Sequence, residues 1–346
     1  MNYSMNRKYY IGVDIGGTNV RTVFATDSEY LLKIVQPTRK TGPDTTLVSQ
    51  VIQMIESGLS TLNIHKGEIY GIGTSSAGPF VDGGTKIWTP NISGVGNDWK
   101  GVPYIKPLRE YFGPNCILGL ANDCVSSVKA EQLFGAGQGY SNLVYVTIST
   151  GVGGGIIVNN HLLKGKSKNA GHVGHLIVKK DGPLCGCGQH GCIESIASGR
   201  AIVRRAKEQG IKLENGKGLT TKDVFDLYHQ GNAKAQELIH ETIEYLGIMF
   251  SDIISIADPE IIIIGGSVFI YNQDLLLPKI ISYVKDNSFA QISKGVKFVP
   301  SQLKEFVGDL AGLSLIFPSE VISKWQQLQP WRKKIKIKDQ VVDKVN

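Results

Sequence analysis

The feature that most constrains this chain is an order of elements that occurs twice: apolar strand, glycine turn, returning strand, helix, strand. In the first cycle residues 10–14 form an apolar run, Gly16-Gly17-Thr18 turns, and residues 20–26 and 30–35 read as the next strands. Leu47, Val48, Val51, Ile52, Ile55, Leu59 and Leu62 then recur at helical spacing over 45–62, and 69–74 reads as a short buried strand. The second cycle runs through a strand at 144–148, a turn at 149–155, a strand at 156–158, a long helix over 233–257 and the all-apolar strand 261–264. Two such cycles in 346 residues imply duplicated α/β halves closing over a cleft, each long enough to bury its own core. No Pro/Ser-rich spacer separates them, so the boundary is expected near Leu120. That gives a small domain over 9–120, completed by a C-terminal helix near 309–325, and a large domain over 121–308.

Glycine lets backbone N–H groups face an anion with no Cβ in the way. In Asp14-Ile15-Gly16-Gly17-Thr18-Asn19-Val20-Arg21 the threonine adds a hydroxyl donor, and Asp14 offers the hard oxygen that Mg²⁺ takes. By itself this stretch is moderately specific, since a Gly-Gly-Thr hairpin can also be a plain turn. Its counterpart, Ser149-Thr150-Gly151-Val152-Gly153-Gly154-Gly155, has four glycines in five positions, and Gly265-Gly266 follows the strand 261–264. No Walker A loop and no GxGxxG opening a helix is present, which sets aside P-loop and dinucleotide-binding folds. Three glycine turns at strand ends are therefore expected to hold ATP. Gly16, Gly17, Thr18, Asn19, Arg21, Thr150, Gly151, Gly153, Gly154, Gly265 and Gly266 are the expected contacts, with Asp14 on the magnesium.

His175, Cys185, Cys187 and Cys192 follow the pattern H-x9-C-x-C-x4-C. Three thiolates and a neutral imidazole form a closed tetrahedral zinc set, and the interspersed glycines permit the tight turns that would gather them. Free thiols or a redox pair are the competing reading. Asn122 and Asp123 end a strand and open a helix running to about Phe134. Asp123 is there either an ordinary first-turn residue behind an Asn122 cap or a general base for an attacking hydroxyl, and local sequence leaves both open. His172, three residues before His175, is likewise either a satisfied histidine or a group facing the same site.

The formal charge of +7 does not indicate nucleic acid. Residues 331–346 carry six basic and two acidic side chains, so +4 of it lies in a basic tail over 327–346, expected to be solvated. No signal peptide and no run of membrane-spanning length is evident, and five cysteines with three inside eight residues are unlike a secreted disulfide framework. A cytoplasmic chain is expected, with neither membrane nor nucleic-acid partners.

Taken together, the stretches 14–21, 122–123, 150–155, 171–194 and 265–266 resemble those of the ROK family (repressors, open reading frames and kinases), over about residues 9–320. The resemblance implies an actin-like ATPase fold, ribonuclease H-like α/β domains around a cleft, with a zinc loop at 175–192. It implies Mg-ATP as phosphoryl donor, a sugar in the cleft and a homodimer. By that match Asp123 is the base, and Asn91, Asn122, His175 and Glu194 contact the sugar, with His175 serving zinc and sugar through its two ring nitrogens. One position departs. Most family kinases read Glu-x-Gly-His before the cysteines, whereas this chain has His172 there. The His-x-Gly-His form is similar to that of enterobacterial N-acetylmannosamine kinases, as are Gly182-Pro-x-Cys-Gly-Cys-Gly188 and Ile196-Ala-Ser-Gly-Arg200. An N-acyl hexosamine is accordingly expected as substrate, with glucose as the alternative. The family's repressors carry a winged helix-turn-helix ahead of this body, and the first phosphate strand at Tyr9 argues for an enzyme.

Overall fold

The computed structural model describes residues 7–88, 92, 98–213 and 217–333, and the backbone of 336–339. The expected sugar contact Asn91 lies outside the described residues. Two compact units emerge: unit 1 takes 1–135, 164–170 and 305–346, and unit 2 takes 136–163 and 171–304.

Along the chain, the strands β1 (Tyr9–Ile15), β2 (Asn19–Ala25) and β3 (Tyr30–Pro37) lead into helix α1 (Thr46–Leu62). Strand β4 (Ile69–Ser76) is followed by the short strands β5 (Phe80–Val81), β6 (Lys86–Ile87) and β7 (Val102–Pro103), which form a small sheet of their own. Helix α2 (Ile105–Phe112), strand β8 (Ile117–Asn122) and helix α3 (Asp123–Phe134) come next. Unit 2 then opens with β9 (Leu143–Ile148), β10 (Val152–Val158) and β11 (His161–Leu162). Its helices are α4 (Glu194–Ala197), α5 (Gly199–Glu208), α6 (Thr221–His229) and α7 (Ala233–Ala257). Strand β12 (Ile261–Gly265), helices α8 (Ser267–Tyr271), α9 (Gln273–Asn287) and α10 (Ala290–Ser293), and strand β13 (Lys297–Pro300) complete it. Helices α11 (Val307–Ser314) and α12 (Ser319–Leu328) return to unit 1, where a strand β14 (Lys336–Asp339) pairs with β3.

The duplication is visible in the sheets. Unit 1 orders its strands β3-β2-β1-β4-β8 and unit 2 orders them β11-β10-β9-β12-β13, in both cases antiparallel at the first two pairings and parallel at the last two. This is the duplicated α/β arrangement of an actin-like ATPase. In unit 1 the apolar face of α1 (Leu47, Val48, Val51, Met54, Ile55 and Leu59) is buried, and the helix stops where Asn63 turns left-handed at φ 52°. In unit 2, Asn232 caps the 25-residue α7 by accepting the Ala235 N–H, and Asp258 at φ 41° ends it before Pro259. The isoleucines of β12 are buried, and on one face Ile262 and Ile264 share a core with residues of α7 and α9, as for a parallel strand covered on its faces.

The units divide after Gly135 and not near Leu120. Strand β8 adds in parallel to β4, and α3 packs on α11, so the stretch holding Asn122 and Asp123 belongs with the first glycine turn. The segment Lys164–Ala170 belongs to unit 1, where the Asn169 side chain accepts from the Phe80 N–H (2.8 Å) and donates to its carbonyl (2.9 Å). At the start of the basic tail Arg332 and Lys333 are exposed as expected, but Pro330 and Trp331 between them and α12 are buried, Trp331 stacked on Trp325 next to Phe134. Aromatic burial outweighs the neighbouring charge there. Among the described residues no helix is long and apolar enough to cross a membrane.

Candidate functional site

In unit 1 the first turn is closed by the Gly16 N–H donating to the Asn19 carbonyl (2.9 Å) and by the Thr38 hydroxyl donating to the Gly16 carbonyl (2.7 Å). Antiparallel pairing of β1 with β2 sets Asp14 opposite Arg21, and their side chains form an ion pair at 3.1 Å. Helix α11 begins directly over this pair: a Cβ on Gly308 would lie 3.0 Å from Asp14 Oδ2. Burial pushes the Asp14 carboxyl up to about 6; Arg21 opposes the rise, while the Asp123 and Asp309 carboxylates add to it. The Asp14 carboxylate is the hard oxygen here that a cation would take.

Asp309 is a residue that the sequence reading missed. It is 2% exposed, and its Oδ2 accepts from Lys33 Nζ (2.7 Å) and from the Tyr30 hydroxyl (3.0 Å), fixing α11 to β3. Burial of Tyr30 itself, and then the neighbouring Asp309 carboxylate, raise its phenol above the ordinary value. Nothing local in Gly308-Asp309-Leu310 announces it, because its partners lie 276 and 279 residues away.

Of the alternatives weighed for Asn122 and Asp123, the structure shows the helix cap. Asn122 caps α3, its Oδ1 accepting the Cys124 N–H at 3.0 Å, and Asp123 stands at the first helical position with its Oδ1 2.9 Å from the same N–H. The cap fixes the direction in which α3 leaves β8 and hence the place of the carboxylate.

In unit 2 the second turn is tighter than the glycine run suggested. Val152 to Gly155 already belong to β10 and pair with β9, so only Ser149, Thr150 and Gly151 form the turn. Gly153 and Gly154 are thus strand residues. A Cβ on Gly154 would strike Val173 at 2.7 Å, and one on Gly174 would lie 1.9 Å from the Val152 carbonyl oxygen. These glycines let the segment bearing His172 and His175 lie directly on β10. The turn itself is held on three sides. The Val152 N–H donates to Glu194 Oε2 (3.0 Å), the Gly199 N–H to the Ser149 carbonyl (2.8 Å), and the Ser149 and Ser267 hydroxyls meet at 3.0 Å. Gly266 has φ 88°, and a Cβ there would lie 2.4 Å from the Ile148 carbonyl oxygen, so Gly265-Gly266 presses against the same strand end. Beside these turns opens a cavity of about 1340 Å³ whose lining includes Thr150, Arg200, Phe225, Ser267 and Tyr271. It has room for a nucleoside.

His175, Cys185, Cys187 and Cys192 converge, their ligand atoms all within 4.8 Å of one another. Cys185 Sγ lies 3.6 Å from His175 Nδ1, and Cys187 Sγ lies 3.7 Å from Cys192 Sγ. Tetrahedral zinc with S at about 2.3 Å and N at about 2.0 Å sets such donors roughly 3.5–3.8 Å apart. These two pairs have the separations that zinc sets, and the four residues together are compatible with a zinc site. Burial pushes the Cys192 thiol up to about 12 and raises that of Cys185, while at Cys187 burial is outweighed by hydrogen bonds that lower it; a divalent cation would hold all three as thiolates, with release of protons from Cys192 and Cys185. His175 directs Nδ1 into the cluster, leaving Nε2 for another partner, and the His172 ring stacks on it with centroids 6.0 Å apart and planes 26° apart. Glu194 follows two residues after Cys192, at the start of α4.

The model of the ROK family matches residues 10–319. A glucokinase of Halalkalibacterium halodurans is 30% identical over 328 residues, covering 91% of this chain and 97% of that protein. An N-acetylmannosamine kinase of Yersinia pestis is 33% identical over 260 residues, covering 75% and 82%. Among solved structures, the ROK hexokinase of Thermus thermophilus aligns with a TM-score of 0.73 at 28% identity, over 89% of this chain and 97% of that one. With the family pattern matched from β1 to α12, and with the Cys₃His cluster assembled, the chain belongs to the ROK family.

Proposed function

We propose that the chain is an ATP-dependent sugar kinase acting on the 6-hydroxyl of an N-acyl hexosamine, with N-acetylmannosamine as the preferred substrate. Asp123 accepts the proton of the sugar hydroxyl, the freed oxygen attacks the γ-phosphorus, and the bond from that phosphorus to the bridging oxygen of ADP breaks. Gly17 and Thr18 of the first turn, whose closing bond already takes the Gly16 N–H, and Thr150 and Gly151 of the second are the phosphate-holding residues of this reading. Arg21 supplies positive charge, and Gly265-Gly266 with the adjoining cavity takes the nucleoside. Mg²⁺ at Asp14 would neutralise phosphate charge. Zinc held by His175, Cys185, Cys187 and Cys192 would fix the loop on which Glu194 stands. Asn122, His172, His175 and Glu194, together with Asn91, contact the sugar.

The observation that carries the substrate choice is the His172 ring stacked on His175. A carboxylate at that position is acceptor-only, whereas an imidazole offers one donor and one acceptor, which suits the carbonyl and N–H of an acetamido group. The glucokinase relative, similar over nearly the whole chain, favours glucose as the second reading. Coupled assays of kcat/KM for N-acetylmannosamine, N-acetylglucosamine, glucose, mannose and fructose separate the two. A preference for N-acetylmannosamine is expected, and good turnover of glucose with none of N-acetylmannosamine would refute the substrate assignment.

A further inference from the structure

We infer that Glu194 is a positioning residue for the second glycine turn, so that a carboxylate assigned to the sugar also sets the affinity for nucleotide phosphate. The inference rests on the kinase reading above and adds a role to a residue in it. Glu194 Oε2 accepts the Val152 N–H at 3.0 Å, at the point where the turn becomes β10. A Cβ on Gly151 would lie 2.6 Å from that same oxygen. Gly151 does not have a positive φ, so a side chain there would be opposed not by backbone conformation but by the carboxylate, which it would push from its seat.

The carboxylate is itself rigidly based. The Arg204 guanidinium donates to the Ser195 carbonyl (2.6 Å) and that of Arg205 to the Ile196 carbonyl (3.0 Å), clamping the short helix that begins with Glu194. Arg205 is held in turn by Thr242 (2.9 Å) and by Glu241. On its other side the turn rests on the Gly199 N–H and the Ser267 hydroxyl. Glu194 is therefore the one charged anchor of the turn among the contacts described, and a carboxylate–amide hydrogen bond is roughly twice as strong as a neutral one. A sugar hydroxyl on the other carboxylate oxygen leaves the bond to Val152 in place. Sugar binding then stiffens the turn, and by reciprocity nucleotide binding favours the sugar.

The test is calorimetric titration of a non-hydrolysable ATP analogue with Mg²⁺, with no sugar present. Wild type is expected to bind, and Glu194→Ala to bind about tenfold or more weakly, while Glu194→Gln, which keeps an acceptor oxygen, stays within about threefold. Glu194→Ala binding as wild type does would overturn the inference while leaving the kinase reading intact, because a pure sugar contact has no effect without sugar. Failure of wild type itself to bind would bring down the kinase reading and the inference with it. Gly151→Ala provides a second route should Glu194→Ala not fold. Its Cβ displaces the carboxylate, so the same loss is expected from this variant alone, and binding like that of wild type would also overturn the inference.

Discussion

Arg21 and Asp14 give a prediction whose size follows from the structure. The Asp14 carboxyl is held near 6 by burial and by the carboxylates of Asp123 and Asp309, against the opposing pull of Arg21. Its charged form is the one that can hold a cation. At pH 7 roughly one Asp14 in ten is protonated and at pH 5 roughly nine in ten, so the Mg²⁺ concentration for half-maximal rate should rise about tenfold between them. Removing Arg21 withdraws the lowering influence. A neighbouring guanidinium is worth about one to three pH units, and Arg21, with 39% of its side chain exposed, belongs at the lower end. Arg21→Gln should therefore move the acid break about one unit higher. The assay is a Mg²⁺ titration of initial rate at half-unit steps from pH 5 to pH 8. The nucleotide's own phosphate titration is common to both proteins and drops out of the difference. Breaks at the same pH in wild type and Arg21→Gln would refute the electrostatic account of Asp14. The sign for stability is opposite to the usual carboxylate: between about pH 4 and pH 6 the folded state binds more protons at Asp14 than the unfolded chain, so this group's contribution falls as pH rises through that window.

Three further outcomes are expected. Asp123→Asn should lower kcat by about 10²–10⁴ while leaving melting temperature and zinc content near wild type, and retained turnover would show that Asp123 is not the base. Asp309→Ala leaves Lys33 and Tyr30 without their shared acceptor; a loss of about 3 kcal/mol in urea unfolding is expected, at the lower end for a broken buried pair because Lys33 is 19% exposed. A loss below about 1 kcal/mol would mean that Lys33 finds solvent instead. Elemental analysis of the purified protein should find one zinc per chain, reduced in Cys192→Ser, and clearly less than one in wild type would contradict the closed Cys₃His site.

The parts of this site legible in the sequence are those whose partners are close along the chain. Three cysteines and a histidine within eighteen residues, a glycine turn between two apolar strands, and an Asn-Asp pair at a strand end each carry their geometry in local spacing. Reading Gly153 and Gly154 as turn residues failed because glycine reports close approach as well as turning, and here the approach is by Val173 from a later segment. Asp309, the bond from Val152 to Glu194 and the docking of Asn169 on Phe80 depend on pairings 42 to 279 residues apart, for which one sequence carries no periodicity. The burial of Trp331 escaped in the same manner: the aromatic cluster that receives it includes Phe134, far earlier in the chain.

The central claim, transfer of phosphate from ATP to a sugar, is tested most directly by sugar-dependent ADP release from the purified chain with Mg²⁺. The account predicts release that requires a hexose or N-acyl hexosamine, yields a 6-phosphorylated sugar in equal amount by ³¹P NMR, and is lost in Asp123→Asn. No sugar phosphate with any sugar of the panel, from protein that is folded and carries its zinc, would contradict it.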